Sequence, residues 1–211
     1  MSIDSDRLGI RRINRFVGNV DLPLLDLILK GYFDPAMRVL DAGCGEGRNL
    51  PYFLNEGMEV HGIDNNPDAI RMVQFVARMA QLKYPTDRFV TGNLTELPYP
   101  DGHFQGVLCS RVLHFAESED VFFAMVKELQ RVLAPKGLLY IRMATTLGAS
   151  IPSSEIAPGK LEMPDGKLRF ALTSLHWNTI QEEFKLEALE PLRVEYTEGR
   201  HSLATLVLTK A

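Results

Sequence analysis

Cysteine is scarce in this 211-residue chain, which has only Cys44 and Cys109. They match no metal-ligand spacing and build no disulfide framework, so neither a cysteine-based zinc module nor a stapled secreted scaffold is indicated. Buried, packed thiols are the expected role for both. No apolar run approaches the ~20 residues needed to cross a bilayer. The polar stretch Met1 to Arg12 lacks the apolar core of a signal peptide, so a cytoplasmic setting with no membrane partner is expected. Positive charge is not in excess either. With 23 Lys and Arg against 27 Asp and Glu, the net charge of −4 argues against nucleic acid as a partner bound through a broad basic surface. Internal repeats and low-complexity tracts are absent.

What the chain does have is 45% hydrophobic residues, enough for one full core. A prior of ~100–200 residues per domain then fits a single domain, 1–211, with elaborations. Its central stretch is Val39-Leu-Asp-Ala-Gly-Cys-Gly-Glu-Gly-Arg48. An apolar strand, Met37 to Leu40, ends in an acid and runs into Gly43, Gly45 and Gly47, with a helix expected over Arg48 to Glu56. Glycines at a strand-to-helix turn admit positive φ and let a ligand lie on the main chain. Free N–H groups at the helix start are expected to face that ligand. This is the pattern of a nucleotide-type cofactor site at the carboxyl end of a first parallel strand.

Upstream, Ile3 to Val17 alternates Arg7, Arg11, Arg12 and Arg15 with apolar residues and reads as a helical arm spanning 1–20. Asp21 then reads as the cap of a helix with Pro23 in its first turn. Downstream, Met58 to Asp64 is a second strand. Asn65-Asn66-Pro67 starts a helix to about Leu82, and Asp87 to Thr91 is a third strand. Phe104 to Cys109 is an apolar fourth strand, Glu119 to Leu133 a helix, and Leu138 to Met143 a fifth strand. The alternation implies a parallel sheet with helices on both faces.

Ala144 to Thr173, rich in proline and glycine, breaks the rhythm. It is long for a connection and reads as an insertion, 144–173, over the acceptor site, with a small hairpin turning at Asp165-Gly166. A helix capped by Thr173 or Ser174 follows. Two closing strands, Glu187 to Tyr196 and Ser202 to Thr209, turn at Glu198-Gly199-Arg200 and must be mutually antiparallel.

Five motifs in this order resemble the class I S-adenosylmethionine-dependent methyltransferases of small-molecule type. They are Val39 to Gly47, Val60-His-Gly-Ile-Asp64, Val90 to Leu94 with Leu97 to Phe104, Val107 to His114, and Arg131 to Leu139. The resemblance implies an α/β, doubly wound, mostly parallel seven-stranded sheet with an antiparallel C-terminal hairpin. It also implies S-adenosyl-L-methionine as cofactor, S-adenosyl-L-homocysteine as product, and in-line displacement onto a small-molecule acceptor. A dinucleotide fingerprint would need a third glycine where Arg48 stands.

Within the resemblance, Asp64 accepts from both ribose hydroxyls and Asn65 lies beside adenine and ribose. Asn93 stands where many relatives have aspartate toward the adenine amino group, an exchange an amide tolerates. Leu94 offers a backbone N–H to the ring. Gly43, Gly45 and Gly47 give access to the main chain, with Cys44 bordering the cofactor. Cys44 and Cys109 are expected as neighbouring packed thiols rather than a redox pair. Asp41 either meets the ligand's ammonium or braces the loop. Ser110 and Arg111 lie at the methionine end.

Methyl transfer from a sulfonium depends chiefly on alignment, so a general base matters only for a protonated acceptor. His114 is the candidate for that role or for orienting the acceptor; otherwise it is structural. The acceptor is expected among Arg11, Arg12 and Arg15, the insertion, and His176-Trp177. The binding motifs also fit a non-catalytic S-adenosylmethionine-binding module, or an RNA or protein methyltransferase.

Overall fold

A computed structural model describes residues 9–80, 84–148, 154–157, 159–162, 166–196 and 202–211. The elements in chain order are α1 (Ile10–Val17), α2 (Leu22–Leu29), β1 (Arg38–Ala42), α3 (Pro51–Asn55), β2 (Glu59–Asp64), α4 (Pro67–Ala80), β3 (Phe89–Thr91) and β4 (Phe104–Ser110). They continue with α5 (Glu119–Val132), β5 (Leu133–Thr145), β6 (Ser154–Ala157), β7 (Lys160–Glu162), β8 (Leu168–Phe170), α6 (Ser174–Glu182), β9 (Leu186–Ala188), β10 (Arg193–Glu195) and β11 (Ser202–Lys210).

The central sheet runs β10-β11-β5-β4-β1-β2-β3, with β9 pairing on β11 as well. Strands β1 to β5 are parallel, and β11 lies antiparallel to β5. This is the doubly wound, mostly parallel sheet expected from the alternation. Alternating side chains along the strands feed two cores. On one face Leu40, Ile63, Val107, Cys109 and Ile141 meet Phe122, Val126 and Leu129 of α5 and Ile180 of α6. On the other face Val39, Val60, Leu108 and Tyr140 meet Leu24 and Leu27 of α2, Phe53 of α3 and Val73 of α4.

Three elements differ from expectation. Helix α3 starts at Pro51, not Arg48, because Gly43, Gly45 and Gly47 all hold positive φ and the chain keeps turning through Asn49. The first closing strand is split into β9 and β10. Pro191 between them has no N–H to give to β11, and Glu190 instead pairs with Lys30 and Arg193. Around the insertion, β6, β7 and β8 form a separate three-stranded sheet, the last two antiparallel as the expected hairpin requires. Asp165 of its turn, the turn at Glu198-Gly199-Arg200, and Ser5 and Asp6, either of which could by sequence cap the first helix, lie outside the described residues.

Candidate functional site

The glycine loop lies where β1 leaves the sheet between β2 and β4. Four of its backbone donors are used internally. The Gly43 and Cys44 N–H groups both donate to the Ile63 carbonyl, at 2.7 and 3.0 Å, and Gly47 N–H donates to the Cys44 carbonyl at 2.9 Å. Gly45 N–H donates to a carboxylate oxygen of Asp64 at 2.9 Å. These four amides are therefore taken up within the protein, and α3 begins beyond them at Pro51. The loop offers bare Cα surface instead.

The glycines divide the work. A Cβ on Gly43 would fall 2.2 Å from Val112 Cγ2, and one on Gly47 would fall 2.7 Å from Val73 Cγ2, so both sit against packed side chains. A Cβ on Gly45 would meet nothing within 4 Å. Gly45 therefore borders open space beside Asp64.

Asp64 closes β2. Its second oxygen accepts from Asn66 N–H at 2.9 Å. A carboxylate has about four lone-pair sites, so two remain for incoming hydroxyls. Asn65 is exposed next to it. Asn93 is exposed too, and its side-chain oxygen accepts from Thr95 N–H at 3.1 Å, which leaves the amide nitrogen as its outward donor. Leu94 is buried behind it.

Asp41, 2% exposed, is held at the end of β1. Burial, then the carboxylates of Asp21 and Asp64, push its pKa up to about 7. A buried carboxyl among acids lacks a cation, and a ligand ammonium would supply one.

Asp21 is the residue that sequence reasoning missed. Its carboxylate does not cap α2. It turns inward, 1% exposed, and lies 2.8 Å from Arg48, 3.4 Å from Arg142 and 3.9 Å from Arg111. Ser110 donates its hydroxyl to the same carboxylate. Ser110 and Arg111 thus sit at the carboxyl end of β4, as expected, but organised by Asp21. Arg111 takes φ 63, and its N–H donates to the Arg142 carbonyl at 2.6 Å. Arg142 also pairs with Glu195.

Other candidates fall elsewhere. Arg12 and Arg15 line a groove of about 520 Å³ against α3 and α4, with Phe16, Pro51, Asn55, Val76 and Met79. His176 accepts the Thr173 N–H through Nδ1 and faces Glu119 through Nε2 at 3.0 Å, so it is committed to capping α6. Trp177 packs on the core. His114, 5% exposed, lies in a 3-10 turn, its ring centroid 4.5 Å from that of Phe115. Cys44 and Cys109 are free and buried, and burial raises both thiol pKa values. They belong to cores on opposite faces of the sheet.

A mostly parallel sheet with an antiparallel last strand, bearing a glycine loop after its first strand and an acid ending its second, defines a Rossmann-like binding fold. Comparison with known proteins shows what the chain is similar to. Residues 40–141 match the methyltransferase domain family. An uncharacterized methyltransferase of Synechocystis is 30% identical over 117 residues, 56% of this chain and 50% of that protein. The chain spans half or less of the length of the first curated relatives it matches. A methyltransferase structure from Methanosarcina mazei superposes with a TM-score of 0.71 at 22% identity, covering 87% of this chain and 96% of that one. Magnesium protoporphyrin IX methyltransferase from Synechocystis, solved with S-adenosylhomocysteine bound, gives a TM-score of 0.66 at 20% identity, covering 97% and 89%. Just under half of the chain, residues 40–141, thus resembles the methyltransferase domain family, and the fold is shared with S-adenosylmethionine-dependent methyltransferases of known structure. Among the described residues, no helix is long and apolar enough to cross a membrane.

Proposed function

We propose that the chain binds S-adenosylmethionine on the glycine loop and catalyses methyl transfer to a small-molecule acceptor. One observation carries the cofactor reading: two complementary charge deficits lie at the carboxyl ends of the sheet. Asp41 is a buried carboxyl without a cation among the described residues, and Arg48, Arg111 and Arg142 share the buried carboxylate of Asp21, with Glu195 as a further partner of Arg142. The amino-acid end of the cofactor carries an ammonium and a carboxylate, one for each deficit. Gly45 leaves room for the ligand body, and Asp64 keeps lone pairs for the ribose.

The bound sulfonium would supply an activated methyl group. The chain's own share is to bind, orient and exclude water. Asn65, Asn93 and the Leu94 N–H serve the nucleoside; Ser110 and Arg111 serve the amino-acid end. In this reading His114 braces the turn before α5, since its ring is buried against Phe115. The insertion forms part of the acceptor's wall. Its sheet is tied to the end of β5 by Thr145 and Thr146, both donating to the Leu172 carbonyl, and Arg169 of β8 stacks over Phe115 at 4.9 Å. A wall this small suits a small acceptor, and the arm 1–20 is assigned no acceptor contact.

Calorimetry with S-adenosylhomocysteine and with NAD tests the cofactor, and binding of NAD alone would refute it. Release of S-adenosylhomocysteine with a small-molecule panel tests catalysis. Binding without turnover across a broad panel would instead favour a non-catalytic module.

A further inference from the structure

A second cluster of ligand-type side chains lies lower on the sheet, toward the start of β2. Glu59 and His61 are alternate residues of one strand and so point to the same face. The His61 Nε2 to Glu59 Oε1 distance is 3.3 Å. His103 comes from the turn immediately before β4, and one ligand atom from each of the three residues falls within 4.8 Å of the others. We propose that Glu59, His61 and His103 form a binding site for one divalent transition-metal ion of the zinc type.

The geometry suits that ion. Ligand atoms at 2.0–2.1 Å from a tetrahedral zinc stand about 3.3 Å apart, the separation already present between His61 and Glu59. Two imidazoles and one carboxylate select zinc, nickel or cobalt over the hard cations magnesium and calcium. The rings are held in place: His103 stacks on Tyr99 at 6.3 Å and meets Phe104 edge-on at 4.8 Å, while His61 meets Phe104 at 5.3 Å. An aromatic shell of this kind steadies ligands and limits solvent access. All three ligands are half-buried, which leaves water to complete the shell. Arg88, 4.0 Å from Glu59 and 28% exposed, is the competing partner and has solvent to move into. Arg38 is the other cation near His103.

The ion would fasten β2 to the far end of the segment 92–103, whose near end is Asn93 and Leu94. The proposal does not rest on the methyltransferase reading, because its test uses the metal alone. Tag-free protein is titrated with zinc by calorimetry and with cobalt by visible absorption, with magnesium as a control. One saturable equivalent of zinc is expected, unaffected by magnesium. Affinity should fall by at least the 10–100-fold typical of losing an outer-shell partner, both in His103→Ala and in Glu59→Gln. Glu59 is 41% exposed, so Glu59→Gln leaves folding intact. No saturable zinc binding by the wild type, or unchanged affinity in both variants, would overturn the site.

Discussion

Replacing Asp41 by asparagine should make the unliganded protein more stable and the cofactor site worse, and the stability gain should depend on pH. Asp41 is buried, and its pKa stands at about 7 against 3.8 for an ordinary aspartate. The folded protein therefore keeps this proton up to about pH 7, whereas the unfolded chain releases it near pH 4. Between those values the folded state binds more protons, so this group's contribution to stability falls as pH rises and levels off above 7. Three pKa units at 1.36 kcal/mol each make the full effect ~4 kcal/mol.

The amide of Asp41→Asn does not ionise. The variant should match the wild type near pH 4 and exceed it by up to ~4 kcal/mol at pH 8, about 10 °C in Tm for a chain of this size. Thermal unfolding of both proteins from pH 4 to 8 reads the difference directly. A difference that stays flat across that window would refute the account of a buried, cation-free carboxyl. The same variant tests the ligand. If the ammonium of S-adenosylhomocysteine pairs with Asp41, wild-type affinity should rise with pH up to about 7 and binding should release a proton. Asp41→Asn should bind weakly with neither feature. Equal binding by both proteins at pH 8 would remove Asp41 from the cofactor site.

Further outcomes follow from the surrounding packing. Gly45→Ala should cost only the ~1–2 kcal/mol of a left-handed alanine while sharply weakening S-adenosylhomocysteine, because the new methyl enters open space beside Asp64. Gly43→Ala should lose more stability than Gly45→Ala, through its clash with Val112; unfolding midpoints and calorimetry on the pair would expose an error in this division of labour. Asp21→Asn should destabilise by about 3 kcal/mol in urea, since it strips the buried countercharge from Arg142; a loss below ~1 kcal/mol would show that the cluster does not depend on it. Arg131 donates to the Leu97 and Tyr99 carbonyls while pairing with Glu128 and Asp101. Arg131→Met should therefore speed hydrogen exchange at the Leu97 amide, which donates to Glu128, and unchanged exchange there would count against this anchor.

The parts of the fold legible in sequence are those set by local pattern. The apolar runs of β1, β4 and β5 with helical stretches between them locate the parallel sheet, and Thr173, one of the two caps expected there, caps α6. What escaped reading depends on partners distant in the chain. Asp21 before Leu22-Pro23 has the local appearance of a helix cap, yet Arg48, Ser110, Arg111 and Arg142 arrive from elsewhere in the chain and take its carboxylate. The loop amides of Gly43 and Cys44 are taken up by Ile63, a residue of the neighbouring strand whose register no local pattern reveals. The break between β9 and β10 fell inside a stretch read as one strand, because it depends on Pro191 together with Glu190 finding Lys30 at the end of α2.

The same internal bonding separates the two cofactor classes that a glycine loop could serve. A dinucleotide places its pyrophosphate against free amides at a helix start, where the helix dipole favours negative charge. Here Gly43, Cys44, Gly45 and Gly47 have all donated their N–H groups within the protein, and α3 begins only at Pro51. A phosphate laid on this loop would meet no donor from those four residues and would approach the buried carboxyl of Asp41, which already feels the negative charge of Asp21 and Asp64. An ammonium in the same place relieves that repulsion. Where a dinucleotide loop would carry its third glycine stands Arg48, whose guanidinium pairs with Asp21; if the loop receives a cation, as proposed, a glycine at that position has no phosphate to serve.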